Sequence, residues 1–227
     1  MVGDAARNVT VDGDCAYVAA STSGIVVVEI SDPANPIILT TADTPGSAFM
    51  VHTAGEYAYV CDELRGVQIL DISDPGNSAI VGSFVVPDML ATHVVTAGDF
   101  AYVSNWSQEA GGVFVLDIRD PESPELVATV ETPGQAEAVT IAGDYAYVAD
   151  HYGGVQVIRI AEPRAPAIVG EVDTPSWALR LVAAGDYVYV ADHETGLQVI
   201  DVSDPTEPVL SGSVDTPGYA RDVVVAG

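Results

Sequence analysis

The chain has 227 residues, of which 48% are hydrophobic, and its 33 acidic side chains face only seven basic ones, all arginine, for a formal net charge of −26. That charge repels a nucleic-acid backbone at long range, so no nucleic-acid partner is expected. No stretch is apolar for the 18 or more residues of a membrane span, which argues against membrane insertion.

Length and hydrophobic fraction together support one large core, and the even spread of the pattern described below is expected to be a single domain over residues 1–227. The N-terminus carries neither the basic nor the apolar region of a secretory signal, and Met1 reads as an initiator placed before a mature or excised segment. The two cysteines, Cys15 and Cys61, fall at non-equivalent positions and read as buried thiols rather than a disulfide framework.

Taken in order, the chain repeats itself. Gly13, Gly55, Gly98, Gly143, Gly185 and Gly227 recur at steps of 42, 43, 45, 42 and 42 residues, and Pro33, Pro75, Pro121, Pro163 and Pro205 keep nearly the same period. Each copy reads as four strands. The fifth copy is the clearest: Leu181 to Ala184, the turn Gly185-Asp186, Tyr187 to Val190, a second turn ending at Gly196, Leu197 to Val202, the Ser203-Asp204-Pro205 turn, and Val209 to Val214. Four antiparallel strands in about 42 residues make one blade of a β-propeller, and the prolines exclude a helical solenoid.

The blades are placed at about 7–48, 49–91, 92–136, 137–178 and 179–220. The first has Cys15 where its siblings have an aromatic residue. The second replaces the Pro-x-x-Pro turn by Gly76-Asn77-Ser78, and the third carries an insertion within Asn105 to Gly111. A surplus inner strand, 221–227, repeats the pattern of residues 7–13 and makes part of a six-bladed propeller the alternative. Self-association through this surplus strand is one expected consequence, because an unpaired apolar edge is a pairing liability.

The runs Val67-Gln68-Ile69-Leu70-Asp71-Ile72-Ser73-Asp74-Pro75 and Leu197-Gln198-Val199-Ile200-Asp201-Val202-Ser203-Asp204-Pro205 resemble the LVIVD repeat of bacterial and archaeal surface proteins. The resemblance implies a β-propeller over essentially the whole chain and an extracellular or cell-surface location. It implies no functional residue.

Propeller geometry brings the start of each first strand and the turn between the second and third strands to one mouth of the channel. His52, His93, Glu137 and Arg180 fall there, and a mixed set of this kind suits a polar or anionic ligand. Trp106, in the longest insertion, is a candidate for stacking on a sugar or aromatic group. Asp62, Asp150 and Asp192 open three of the turns. They are the weak calcium candidates, since calcium takes hard oxygen ligands, and the competing reading is that each caps its own turn. No catalytic motif is present.

The expectation is therefore a non-enzymatic binding or scaffold module with a protein or carbohydrate partner at the cell surface. The alternative is a propeller hydrolase or lyase with its acid and base at the channel mouth. The acidity fits either adaptation to high salt or calcium binding, and the absence of lysine favours the halophilic reading.

Overall fold

Each copy begins with a hairpin closed by two residues, a glycine and an acidic residue, Glu56 in the second copy and aspartate in the others. Gly13, Gly55, Gly98, Gly143 and Gly185 all hold φ between +55° and +60°, whereas the acidic residues after them do not enter the left-handed region. This is the two-residue turn with glycine first, whose twist matches that of the flanking strands. The computed structural model describes residues 5–107 and 111–226. Residues 1–4, 108–110 and 227, which include Met1, the middle of the third-blade insertion and the sixth anchoring glycine, lie outside that description.

Five four-stranded antiparallel sheets follow from the five copies. The first blade holds β1 (Asn8–Asp12), β2 (Cys15–Ala19), β3 (Ile25–Glu29) and β4 (Ile37–Ala42). The second holds β5 (Met50–Ala54), β6 (Tyr57–Cys61), β7 (Val67–Asp71) and β8 (Ala79–Phe84), with a 3-10 turn at Pro75–Asn77 in place of the usual proline turn. The third holds β9 (Ala91–Ala97), β10 (Phe100–Asn105), β11 (Gly112–Asp117) and β12 (Glu125–Glu131). The fourth holds β13 (Ala138–Ala142), β14 (Tyr145–Ala149), β15 (Val155–Arg159) and β16 (Ala167–Val172). The fifth holds β17 (Arg180–Ala184), β18 (Tyr187–Ala191), β19 (Leu197–Asp201) and β20 (Val209–Val214). Within each blade the strands pair in chain order.

The chain divides into two compact units, residues 1–99 with 117–125, and residues 100–116 with 126–227. In the first, Tyr17, Ile25 and Val27 pack with Val51, Val60 and Leu70. In the second, Tyr147, Val155 and Val157 pack with Leu181, Val188 and Ile200. The repeated tyrosines at 17, 59, 102 and 147 are buried, while Tyr189 of the fifth blade is only partly covered. Cys15 and Cys61 are buried thiols outside any disulfide, which matches the sequence reading.

The aliphatic residue just inside each first strand is core at Val51, Val94, Val139 and Leu181, whereas Val9 is 57% exposed. One expectation changes. The surplus copy at 221–226 is not a strand, and Val224 and Val225 are exposed. The difference is pairing: β1 is held by β2 from Asn8↔Ala19 to Asp12↔Cys15, whereas residues 221–226 pair with no strand among the described residues.

Candidate functional site

In the first, second, fourth and fifth blades the turn after the second strand bends through a left-handed residue. Ser21, Glu63, His151 and His193 occupy this position with φ of 53°, 48°, 50° and 41°. Such a conformation is uncommon for a residue with a Cβ, and here it is fixed by backbone bridges to Ala48, Ala91, Ala178 and Ala220 in the next loop. The bridge brings the side chain at the turn beside that of the residue preceding the alanine. In the first blade the pair is Ser21 and Ser47, whose hydroxyls lie 3.1 Å apart. In the fourth and fifth blades it is His151 with Trp177, and His193 with Tyr219.

These rings form a column in the second unit. His151 stacks on Trp177 with centroids 4.8 Å apart, Trp177 on His193 at 4.6 Å, and His193 on Tyr219 at 4.3 Å with the planes only 5° from parallel. Tyr152 meets both His151 and Trp177 edge-on, and Trp106 approaches His151 edge-on at 6.2 Å. His151 is 7% exposed, whereas Tyr152, Tyr219 and Trp177 are 69%, 60% and 37% exposed. Burial, with a smaller contribution from the neighbouring His193, pulls the pKa of His151 below the usual histidine value, so the ring stays neutral near pH 7. The Nδ1 atoms of His151 and His193 and the Nε1 of Trp106 are buried without a hydrogen-bond partner.

The residues expected at the channel mouth are each engaged. In the first unit, Nε2 of His52 lies 3.1 Å from Oγ1 of Thr96, and burial lowers its pKa. His93 sits half-buried on β9 with a partner of its own. In the second unit, Arg180 donates at 3.2 Å to the Glu137 carboxylate and also to the backbone carbonyls of Glu137 and Leu179. Burial still raises the pKa of Glu137 against the pull of that arginine. So Glu137 and Arg180 are brought together as a strut between the inner strands of two blades.

The three turn carboxylates act as clasps. Asp62 accepts hydrogen bonds from Thr44 Oγ1 and the Gly46 amide, both at 2.8 Å. Asp150 accepts from Thr132 Oγ1 at 2.5 Å and the Gly134 amide at 2.7 Å. Asp192 accepts from the Ser176 amide at 2.9 Å and from the hydroxyl of Thr195. In each case the carboxylate of one blade holds the Thr-Pro loop of the blade before it, sixteen to eighteen residues back, rather than its own turn alone. Burial raises the pKa of Asp62, and that of Asp150 to about 6. Among the described residues no group of three His, Cys, Asp or Glu is placed to hold a metal ion.

The sequence reading singled out Trp106, but it missed Tyr152, Trp177 and Tyr219. The signal was available: Trp177 and Tyr219 occupy the same repeat position, where the first blade has Ser47.

Five four-stranded antiparallel blades on a period near 42 residues make this a β-propeller repeat protein. The LVIVD repeat model matches residues 3–44, 45–86, 90–132, 133–174 and 177–216, and the chain belongs to the LVIVD repeat family. Similar solved structures include a protein from Lactobacillus plantarum, 16% identical over 95% of this chain and 72% of that one, with a TM-score of 0.80. The computationally designed Ika8 protein is 12% identical over 98% of this chain and 66% of that one, with a TM-score of 0.77. A chain in a nidogen/laminin complex is 11% identical over 97% of this chain and 84% of that one, with a TM-score of 0.68. Identities this low carry the fold alone. No curated protein matches the sequence.

Proposed function

We propose that this chain is a non-enzymatic binding module of an acidic, halophilic cell surface, and that the ring column of its fourth and fifth blades is the face that meets a protein partner. The observation that carries this reading is the column itself. Tyr152, Trp177 and Tyr219 expose aromatic surface together, and where the histidines pair with Trp177 and Tyr219 the first blade is satisfied by two serines, Ser21 and Ser47. The fold therefore does not require rings there. Clustered Tyr and Trp are the side chains that anchor protein interfaces, because each offers a large rigid surface with a polar edge. A net charge of −26 favours a partner with a neutral or basic surface and speeds its encounter.

A hydrolase or lyase would need an acid and a base free to reach a bound substrate. The engagement of His52 with Thr96 and of Glu137 with Arg180 supports binding over catalysis. The test is binding of the labelled chain to cell envelopes of its source in molar salt, compared with Trp177→Ala and Tyr219→Ala variants that melt at the wild-type temperature. Binding should fall at least tenfold in the variants and be lost after protease treatment of the envelopes. Binding that survives protease and is lost on glycosidase treatment would make the partner a glycan, and equal binding by the variants would remove the column from the site.

A further inference from the structure

One residue sets the third blade's proline turn apart. Two places before the proline stand Ser31, Ser73, Ala161 and Ser203 in the other blades, but Arg119 in the third. Elsewhere a nearby acid holds this turn through the small residue, as Asp71 accepts the Ser73 amide at 2.9 Å and its hydroxyl at 2.6 Å. Asp117, which is buried, takes that part for Arg119: it accepts the backbone amide at 3.2 Å, Nε at 2.9 Å and Nη2 at 2.6 Å. The guanidinium is thus fixed along one edge. Its Nη1 has no partner among the described residues, and the side chain is 63% exposed. Serine or alanine closes the same turn in four blades, so the turn does not require an arginine.

Arg119 lines a groove of about 450 Å³, within the roughly 300–1,000 Å³ of small-ligand sites. Every residue of its lining belongs to the first unit, and none to the ring column. Ala54 and the half-buried Tyr57 of the second blade, with Ile118 and Pro121 of the third, give it apolar walls. Thr96, also in the lining, is tied to His52 on β5 at 3.1 Å, which fixes the inner strands of the two blades to each other beside the groove. Asp99 supplies a carboxylate in the same lining. The bonds to Asp117, and after them the charges of Asp99 and Glu125, raise the pKa of Arg119, so the groove holds a permanent positive charge in the field of a negative one.

We propose that this groove binds a free α-amino acid, with its carboxylate on Arg119, its ammonium on Asp99 and its side chain against Tyr57 and Ile118. The pair of charges selects the ligand. A simple anion would answer Arg119 but would meet Asp99 in the groove and Asp120 and Glu125 on the other side of the arginine, on a chain of net charge −26. A simple cation would answer Asp99 but would meet the guanidinium. A zwitterion satisfies both, and the planar guanidinium orients its carboxylate. Because Arg119 is mostly exposed, the ion pairs are screened, and an affinity of about 1 mM is expected.

Equilibrium dialysis of the full chain against radiolabelled phenylalanine, taken to about 10 mM, tests this. Saturable binding of one phenylalanine per chain is expected. Hydrocinnamate, which lacks the ammonium, and phenethylamine, which lacks the carboxylate, should each bind at least fivefold more weakly. Arg119→Ser restores the residue of the sibling blades, and it should weaken phenylalanine binding at least fivefold while melting at the wild-type temperature. Asp99→Asn should do the same. No saturable binding, or equal binding by a folded Arg119→Ser variant, overturns the proposal. Hydrocinnamate bound as tightly as phenylalanine overturns it by removing the role of Asp99, and phenethylamine bound as tightly overturns it by removing that of Arg119. These two ligands decide the matter even if the variants fail to fold.

Discussion

The carboxylate of Asp150 accepts the amide of Gly134 at 2.7 Å and so ties the loop that ends one blade to the turn of the next. It does so while fully buried, and burial outweighs both hydrogen bonds in setting its pKa at about 6. The clasp therefore carries a titration. The folded state holds a proton on Asp150 that the unfolded chain, near the ordinary value of 3.8, has already released. Stability from this group is greatest below about pH 4 and falls as the pH rises through 6, by up to about 3 kcal/mol. Asp150→Asn keeps an acceptor for Gly134 and removes the charge. Between pH 4 and 7 the wild type should lose stability relative to this variant in urea unfolding, and parallel curves would mean that Asp150 is ionised without cost.

Arg180 and Glu137 hold each other with both side chains mostly covered, 20% and 18% exposed. Removing one partner strands the other. Arg180→Ala is expected to cost about 2–4 kcal/mol, because Glu137 is left buried with its pKa already raised, and Glu137→Gln should cost less. A double-mutant cycle measured by thermal and urea unfolding separates the pair energy from lost packing. A coupling below about 0.5 kcal/mol would mark the pair as a surface ornament rather than a strut.

Glycines at one repeat position should differ sharply in tolerance. Gly170→Ala forces a Cβ toward the Pro205 carbonyl and is expected to destabilise by about 1–3 kcal/mol, whereas Gly212→Ala, with only Val199 nearby at 3.8 Å, should change stability by less than about 0.5 kcal/mol. Urea midpoints provide the comparison. Equal costs at the two sites would contradict the packing described for them.

The fold was legible because its determinants are local. A glycine followed by an acidic residue fixes each hairpin, a Tyr-Val pair closes each second strand at 17, 59, 102, 147 and 189, and an acidic residue before proline marks each turn, so period and strand content could be read residue by residue. The site was less legible because its parts come from turns and loops far apart in the sequence. The His151↔Ala178 and His193↔Ala220 bridges set Trp177 and Tyr219 beside the turn histidines of their own blades, and the stacking of Trp177 on His193, sixteen residues on, then crosses from the fourth blade to the fifth. The same holds for the acids. Asp62 and Asp150 looked like caps of their own turns or calcium ligands, and their actual donors lie in the preceding blade. Val9 and Val51 share a repeat position, yet only Val51 has a neighbour on both sides to bury it.

Salt should act on stability. The 33 carboxylates are concentrated by folding, and screening relieves a repulsion that the unfolded chain spreads over a larger volume. The melting temperature is expected to rise steadily as sodium chloride is taken from 0.1 M into the molar range, with most of the gain shared by potassium chloride. A calcium titration at matched ionic strength of magnesium separates screening from a specific ion. A flat or falling melting temperature would remove the halophilic reading.

Deleting residues 221–227 completes the set. Residues 221–226 repeat the β1 pattern but hold no ladder, and Val224 is 79% exposed, so the segment contributes little to the fold. The truncated chain should unfold within about 0.5 kcal/mol of wild type. Self-association expected of an unpaired apolar edge at these residues should be lost on truncation in sedimentation velocity, and association that persists would place the contact elsewhere.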